Sequence, residues 1–229
     1  MTHFLGIDLG TTNSVAALFD GETVTPVRSS GGYLVPSVVH LGRGGRVSVG
    51  EKAKRLAEKD PLNSRTGFKR LMGTEASFEF PIAEGSFSPV TLSAHLLRSL
   101  RDDVKTQTGI LPEQAIITVP AIFDLPQCRA TTEAAQAAGF CSVELVQEPV
   151  ASALAAGWSQ ESHGYWMVFD LGGGTFDVTL LSEEERLSAS RRTRWTQLSR
   201  RPRHRPGHLH LGPRAGPGLW IGRLRKCCI

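Results

Sequence analysis

Short apolar runs bounded by Gly, Pro, Asn or Asp recur along the first 180 residues, and they predict strands over His3–Asp8, Ser14–Phe19, Ser37–Leu41, Gln114–Val119, Ser142–Gln147, Tyr165–Asp170 and Phe176–Leu181. Between them a helical period takes over. It predicts helices over Glu51–Lys59, Leu92–Thr106, Asp124–Ala138 and Pro149–Ala156. Leu92, Leu96, Leu97, Leu100 and Val104 fall on one continuous face, which reads as a packing face. Gly139, just after an Ala-rich run, reads as a C-terminal stop. Strands alternating with helices imply an α/β domain.

One strand–turn–strand phrase occurs twice, as GIDLGTTNSVAALF (Gly6 to Phe19) and VFDLGGGTFDVTLL (Val168 to Leu181), with Asp8 and Asp170 in equivalent places. A single such turn is an ordinary hairpin. Two copies that share the Asp and a Thr are far more specific. Glycines let backbone N–H groups converge on an anion, and Thr hydroxyls add donors. Two opposed turns of this kind suit nucleotide phosphates, and a pair of Asp carboxylates suits a Mg²⁺ that keeps most of its waters. No Gly-Lys-Ser/Thr phosphate loop and no G-x-G-x-x-G after a strand is present, which argues against the two commonest nucleotide-binding loops.

Charge divides the chain in two. Up to Glu185 there are 14 basic and 22 acidic residues, a net charge of −8, whereas Arg186 to Ile229 holds 11 Arg, one Lys and no acid, a net charge of +12. The tail shows no sustained helical or strand period and is dominated by Arg, Pro, Gly and His, a composition that predicts disorder. Its abrupt onset reads as an out-of-frame continuation. The competing reading is a basic nucleic-acid arm with Trp195 and Trp220 available for stacking, but the tail contains no known module and nucleic acid is disfavoured. The four cysteines show no metal spacing and no C-x-x-C, which is consistent with a reducing cytoplasm. The terminal KCCI does not fit a prenylation signal, and neither a signal peptide nor a membrane span is expected.

GIDLGTTNS (Gly6 to Ser14), FKRLMG (Phe68 to Gly73), ITVPAIF (Ile117 to Phe123), QEPVASAL (Gln147 to Leu154) and FDLGGGTFDVT (Phe169 to Thr179) resemble, in order and spacing, the nucleotide-binding domain of the seventy-kilodalton heat-shock chaperones, the DnaK-like family. The resemblance covers residues 1 to about 182. Phe68–Glu75 and Pro89–Val104 are most similar to the HscC-type bacterial branch. The resemblance implies an actin-like, ribonuclease-H-like ATPase fold: the first lobe with an inserted subdomain at about 37–92, the start of a second lobe to residue 182, then the basic tail from 183 to 229.

Carried over by position, the resemblance implies that Gly10, Thr11, Thr12 and Asn13 form one phosphate turn and Gly172, Gly173, Gly174 and Thr175 the other, around ATP or ADP and Mg²⁺. Lys69 matches the lysine near the γ-phosphate and attacking water, where a cation stabilises developing charge. Lys52, Lys54 and Lys59 read instead as solvated helix lysines. Glu148 matches the acidic residue that holds a water of the metal shell, and Asp8, Asp170 and Asp177 match the aspartates around metal and water. Carboxylates that converge without a cation repel one another, which argues for a bound metal. There is one departure. Pro120 matches a family relay residue, but Cys128 stands where the relay arginine belongs and Arg129 follows it, turned by about 100° on a helix.

Three functions stay open: an ATP-hydrolysing chaperone domain, a non-enzymatic remnant or pseudo-ATPase, and a small-molecule kinase of the actin-like superfamily. FKRLMG, VPAIF and QEPVASAL resemble the chaperones rather than the kinases. For the intact family the implied partners are unfolded polypeptides, a J-domain co-chaperone and a nucleotide-exchange factor. The missing remainder of lobe two implies weak or absent ATPase activity and an exposed sheet edge beside Phe176–Leu181.

Overall fold

The computed structural model describes residues 3–83, 85–158, 165–171, 176–183, 193–199 and 219–224; beyond residue 158, side chains are described for 166–170 and 178–181. In chain order the elements are β1 (Phe4–Asp8), β2 (Asn13–Phe19), β3 (Val24–Pro26), β4 (Val35–Pro36), β5 (Val38–Gly42), β6 (Arg46–Val49), α1 (Gly50–Ala57), β7 (Ser64–Thr66), β8 (Phe78–Glu79), β9 (Ser86–Phe87), α2 (Pro89–Thr108), β10 (Gln114–Val119), α3 (Leu125–Ala137), β11 (Ser142–Gln147), α4 (Glu148–Ala155), β12 (Tyr165–Leu171), β13 (Phe176–Glu183), β14 (Thr193–Ser199) and β15 (Leu219–Leu224). They fall into two compact units, Met1–Val119 with Phe123–Val146 and Pro120–Ile122 with Gln147–Ile229.

The first unit is built on a sheet of order β11-β10-β1-β2-β3, with β4 also paired to β2. β1, β2 and β3 form an antiparallel meander, and β10 joins β1 in parallel. This mixed order with helical crossovers is the actin-like, ribonuclease-H-like α/β arrangement that the sequence implied. Alternation explains why β1 is central: Leu5 and Ile7 are buried, while Asp8 ends the strand exposed. α2 and α3 pack together through the Leu92, Leu96, Leu97, Leu100 and Val104 face and through the small residues Ala130, Ala134 and Ala135.

α2 starts one turn earlier than its apolar period indicated. Ser88 caps it, its hydroxyl accepting from Thr91 N–H at 3.1 Å, and Pro89 occupies the first turn, where no amide donor is needed. α3 opens on a reciprocal capping box between Asp124 and Gln127 and ends at Gly139, whose φ of +101° closes the helix as expected.

β6, β5 and β7 form a small sheet beside α1, and β8 pairs with β9. Arg65 ties these short pieces together. Its guanidinium lies 4.7 Å from the centre of the Phe80 ring and donates to the carbonyls of Leu62, Ser64 and Glu79, while Phe80 meets Phe87 edge-on at 5.1 Å.

In the second unit β12 and β13 form an antiparallel hairpin, flanked by β15 and β14 respectively. Ala153 of α4, Val168 and Leu181 make its buried cluster, with Val150, Trp158 and Trp166 against them. β13 is paired on both sides instead of leaving the open edge that the sequence implied. A hairpin presents unpaired backbone groups on both flanks, and TRWTQLS and LWIGRL carry the β-branched and aromatic residues that suit pairing there. The rest of the tail lies outside the described residues. Among the described residues no helix is long and apolar enough to cross a membrane.

Candidate functional site

β1 delivers Asp8 to the end of its strand, level with Thr118 at the end of β10. Ends of parallel strands are where open α/β sheets bind ligands. The Thr118 hydroxyl donates to Asp8 Oδ1 at 2.8 Å. The turn that follows is tight: a Cβ on Gly10 would sit 2.0 Å from the Asn13 carbonyl oxygen, so only glycine fits. Ser37, buried between β4 and β5, donates its backbone N–H to the Thr12 carbonyl at 2.8 Å. Leu9 and Ser14 anchor the two ends of the turn inside, and Thr12 and Asn13 are exposed.

Lys69 sits on a short 3-10 turn, Phe68–Leu71, entered through Gly67 at a φ of +68°. Phe68 pins the turn to the core. Lys69 is only 5% exposed, with its ammonium 5.8 Å from the centre of the Phe123 ring, whereas Lys52, Lys54 and Lys59 are exposed. Burial sets Lys69 apart from the exposed lysines of α1 and the residues after it. A buried ammonium is costly unless its surroundings compensate it.

In the second unit Glu148 opens α4 after the N-cap Gln147, where the helix dipole favours a carboxylate. Glu148 and Asp170 line one cavity, together with Pro120, Ser152 and Thr179. Asp177 lies directly across the ladder from Asp170; its side chain is outside the described residues, as are Gly172, Gly173, Gly174 and Thr175. The two hairpins share one register. Asp8 pairs with Val15 and Asp170 with Asp177, seven residues apart in each.

Among the described residues no three His, Cys, Asp or Glu side chains form a metal-holding group. The cavity in the second unit nonetheless offers oxygen donors alone, two carboxylates and two hydroxyls, and that donor set fits a hard cation such as Mg²⁺. Cys128, in the relay position, has its thiol pushed up by burial and by the nearby Asp124 carboxylate, so it stays protonated near neutral pH.

Sequence reasoning missed Ser37 and Thr118. A lone serine after Pro36 carries no signal of its own. Thr118 could be found only by setting β10 beside β1 in register.

The profile of the Hsp70 protein family matches residues 4–81 and 76–186. The chain is also similar to the Chaperone protein DnaK of Elusimicrobium minutum (strain Pei191), with 41% identity over 187 residues, 79% of this chain and 30% of that relative. It therefore spans about a third of the length of that relative. Matched by the family profile over most of its length, the chain belongs to the Hsp70 family.

Proposed function

We propose that this chain carries the phosphate-binding floor of a DnaK-like, ATP-dependent chaperone. The observation that supports this most is the pair of hairpins in one register, each bringing an Asp to a Gly- and Thr-containing turn. In this reading Gly10, Thr11, Thr12 and Asn13 form one phosphate-binding turn and Gly172, Gly173, Gly174 and Thr175 form another. Lys69 directs its charge at the terminal phosphoryl group, where catalysis is mostly positioning and electrostatics. Asp8, Asp170 and Glu148 would hold Mg²⁺, directly or through water, and Asp177 would orient the attacking water. A bound Mg²⁺ supplies charge neutralisation at the phosphates. Thr118 fixes Asp8, and the α4 N-terminus supports the charge of Glu148.

Unfolded polypeptides, a J-domain co-chaperone, a nucleotide-exchange factor and a cytoplasmic location belong to the same proposal, for the full-length family protein. Calorimetric titration of the purified chain with Mg·ATP tests it, with Lys69→Ala and Asp8→Ala as controls. Micromolar binding abolished in both variants supports the reading. No heat up to millimolar nucleotide overturns it for this chain and leaves the remnant, a family member without ATPase activity.

A further inference from the structure

Both polar groups of the Gly10 backbone are taken up from inside the fold. Its N–H donates to Ser14 Oγ at 3.2 Å, and its carbonyl accepts from Ser37 Oγ at 2.8 Å. The two hydroxyls lie 3.0 Å apart. A serine has one hydroxyl proton, and that of Ser37 is committed to Gly10, so Ser14 must donate to Ser37. The three bonds close a ring that begins and ends on one glycine. The fourth bond, from Ser37 N–H, fixes the Thr12 carbonyl as well. Ser14 is 0% and Ser37 2% exposed, so water does not compete for these bonds.

In a trans peptide the carbonyl of one residue and the N–H of the next point in opposite directions. With the Gly10 and Thr12 carbonyls drawn to Ser37, the N–H groups of Thr11 and Asn13 turn to the other side. That side is open: Thr12 and Asn13 are exposed and Thr11 half-buried. Successive backbone N–H groups presented in this way make an anion-binding concavity.

We infer that Ser14 and Ser37 are positioning residues that hold the Gly10–Asn13 turn in its anion-binding form before a ligand arrives, the ligand being the terminal phosphates of a nucleoside di- or triphosphate. The ligand class rests on the nucleotide reading above; the positioning role does not. Phe176 occupies in the second hairpin the place that Ser14 has in the first, so the Ser14 hydroxyl has no counterpart in that sequence. Prepaying the order of a binding loop strengthens binding without adding a contact.

The test uses the whole ¹⁵N-labelled chain, with sodium pyrophosphate as the probe. Ser37→Ala and Ser14→Ala are compared with Ser48→Ala, a buried serine of β6 outside the ring. In the unliganded wild type the Thr11, Thr12 and Asn13 amides should show rigid order parameters of about 0.85, falling below about 0.6 in Ser37→Ala while Leu5 and Ile7 stay rigid. Pyrophosphate should shift the Thr11 and Asn13 amide resonances. Its affinity should fall about tenfold in Ser37→Ala, as expected for one net hydrogen bond, and less than about twofold in Ser48→Ala. Equal rigidity of the turn in wild type and Ser37→Ala overturns the inference. A wild type that ignores pyrophosphate but whose rigid turn loosens in Ser37→Ala keeps the positioning role and removes the nucleotide reading. If Ser37→Ala gives no folded spectrum, Ser14→Ala decides, since it opens the ring while leaving Ser37 on both carbonyls.

Discussion

Gly73→Ala and Gly109→Ala form a matched pair that separates backbone strain from packing. Both glycines sit at a φ of +74°. Alanine in that left-handed conformation costs about 1–2 kcal/mol, partly offset by a less flexible unfolded chain worth about 0.4–1 kcal/mol. Around Gly109, the C-cap of α2, a new Cβ meets nothing within 4 Å. Around Gly73 it would lie 2.7 Å from the Gln127 nitrogen, 2.7 Å from the Pro126 carbonyl carbon and 3.0 Å from the Gln127 Cα. These are backbone atoms of the capped first turn of α3, and they cannot rotate away. Forcing them apart adds about 1–3 kcal/mol. Gly73→Ala should therefore lose about 2 kcal/mol more than Gly109→Ala in urea denaturation followed by far-ultraviolet circular dichroism. Because Gly73 ends the segment that carries Lys69, its variant should also weaken Mg·ATP binding while Gly109→Ala does not. Equal losses of stability, within about 0.5 kcal/mol, would refute the close approach between this segment and α3.

Asp103 has a carboxylate oxygen buried without a hydrogen-bond partner among the described residues. Burial, with help from the neighbouring Asp102 charge and against a hydrogen bond from Ser29, raises its pKa above the ordinary 3.8. The folded state thus holds this proton more tightly than the unfolded chain, and stability is lost as pH rises through the interval above 3.8. Asp103→Asn should match the wild type below that interval and exceed it at neutral pH, which denaturation at pH 3.5 and pH 7 would check. Ser88→Ala removes the cap of α2 and should cost about 1 kcal/mol in the same assay. Leu97→Ala empties a fully buried position on α2 and should cost about 2–5 kcal/mol, seen as a lower thermal midpoint.

The elements legible in the sequence are those whose pattern is set by one large surface. β1, β2 and β10 alternate because one sheet face meets the helices, and α2 announces its buried leucine face. The short strands escape such reading. Ser64–Thr66 and Phe78–Glu79 are too brief for a period, and Arg65 of the first reaches across to the second. Among the candidate site residues, the glycine turn and Lys69 stand within motifs that the sequence displays. Ser37 and Thr118 were not, because their roles arise from register: one is brought to Gly10 across a stretch of 27 residues, the other to Asp8 across 110. The pairing of Thr193–Ser199 and Leu219–Leu224 with the second hairpin has no signal in a composition dominated by Arg, Pro, Gly and His.

A hairpin used twice in one chain brings its spacing with it, so differences between the copies stand out as the places where they have diverged. Asp8 and Asp170 are common to both. Their cross-strand neighbours are not: Val15 faces the first and Asp177 the second. The first copy has an apolar residue at this place, and the second has another acid. Moving that single difference, with Val15→Asp in one direction and Asp177→Val in the other, would ask whether the chain's polarity toward a ligand is written in one position of a shared template.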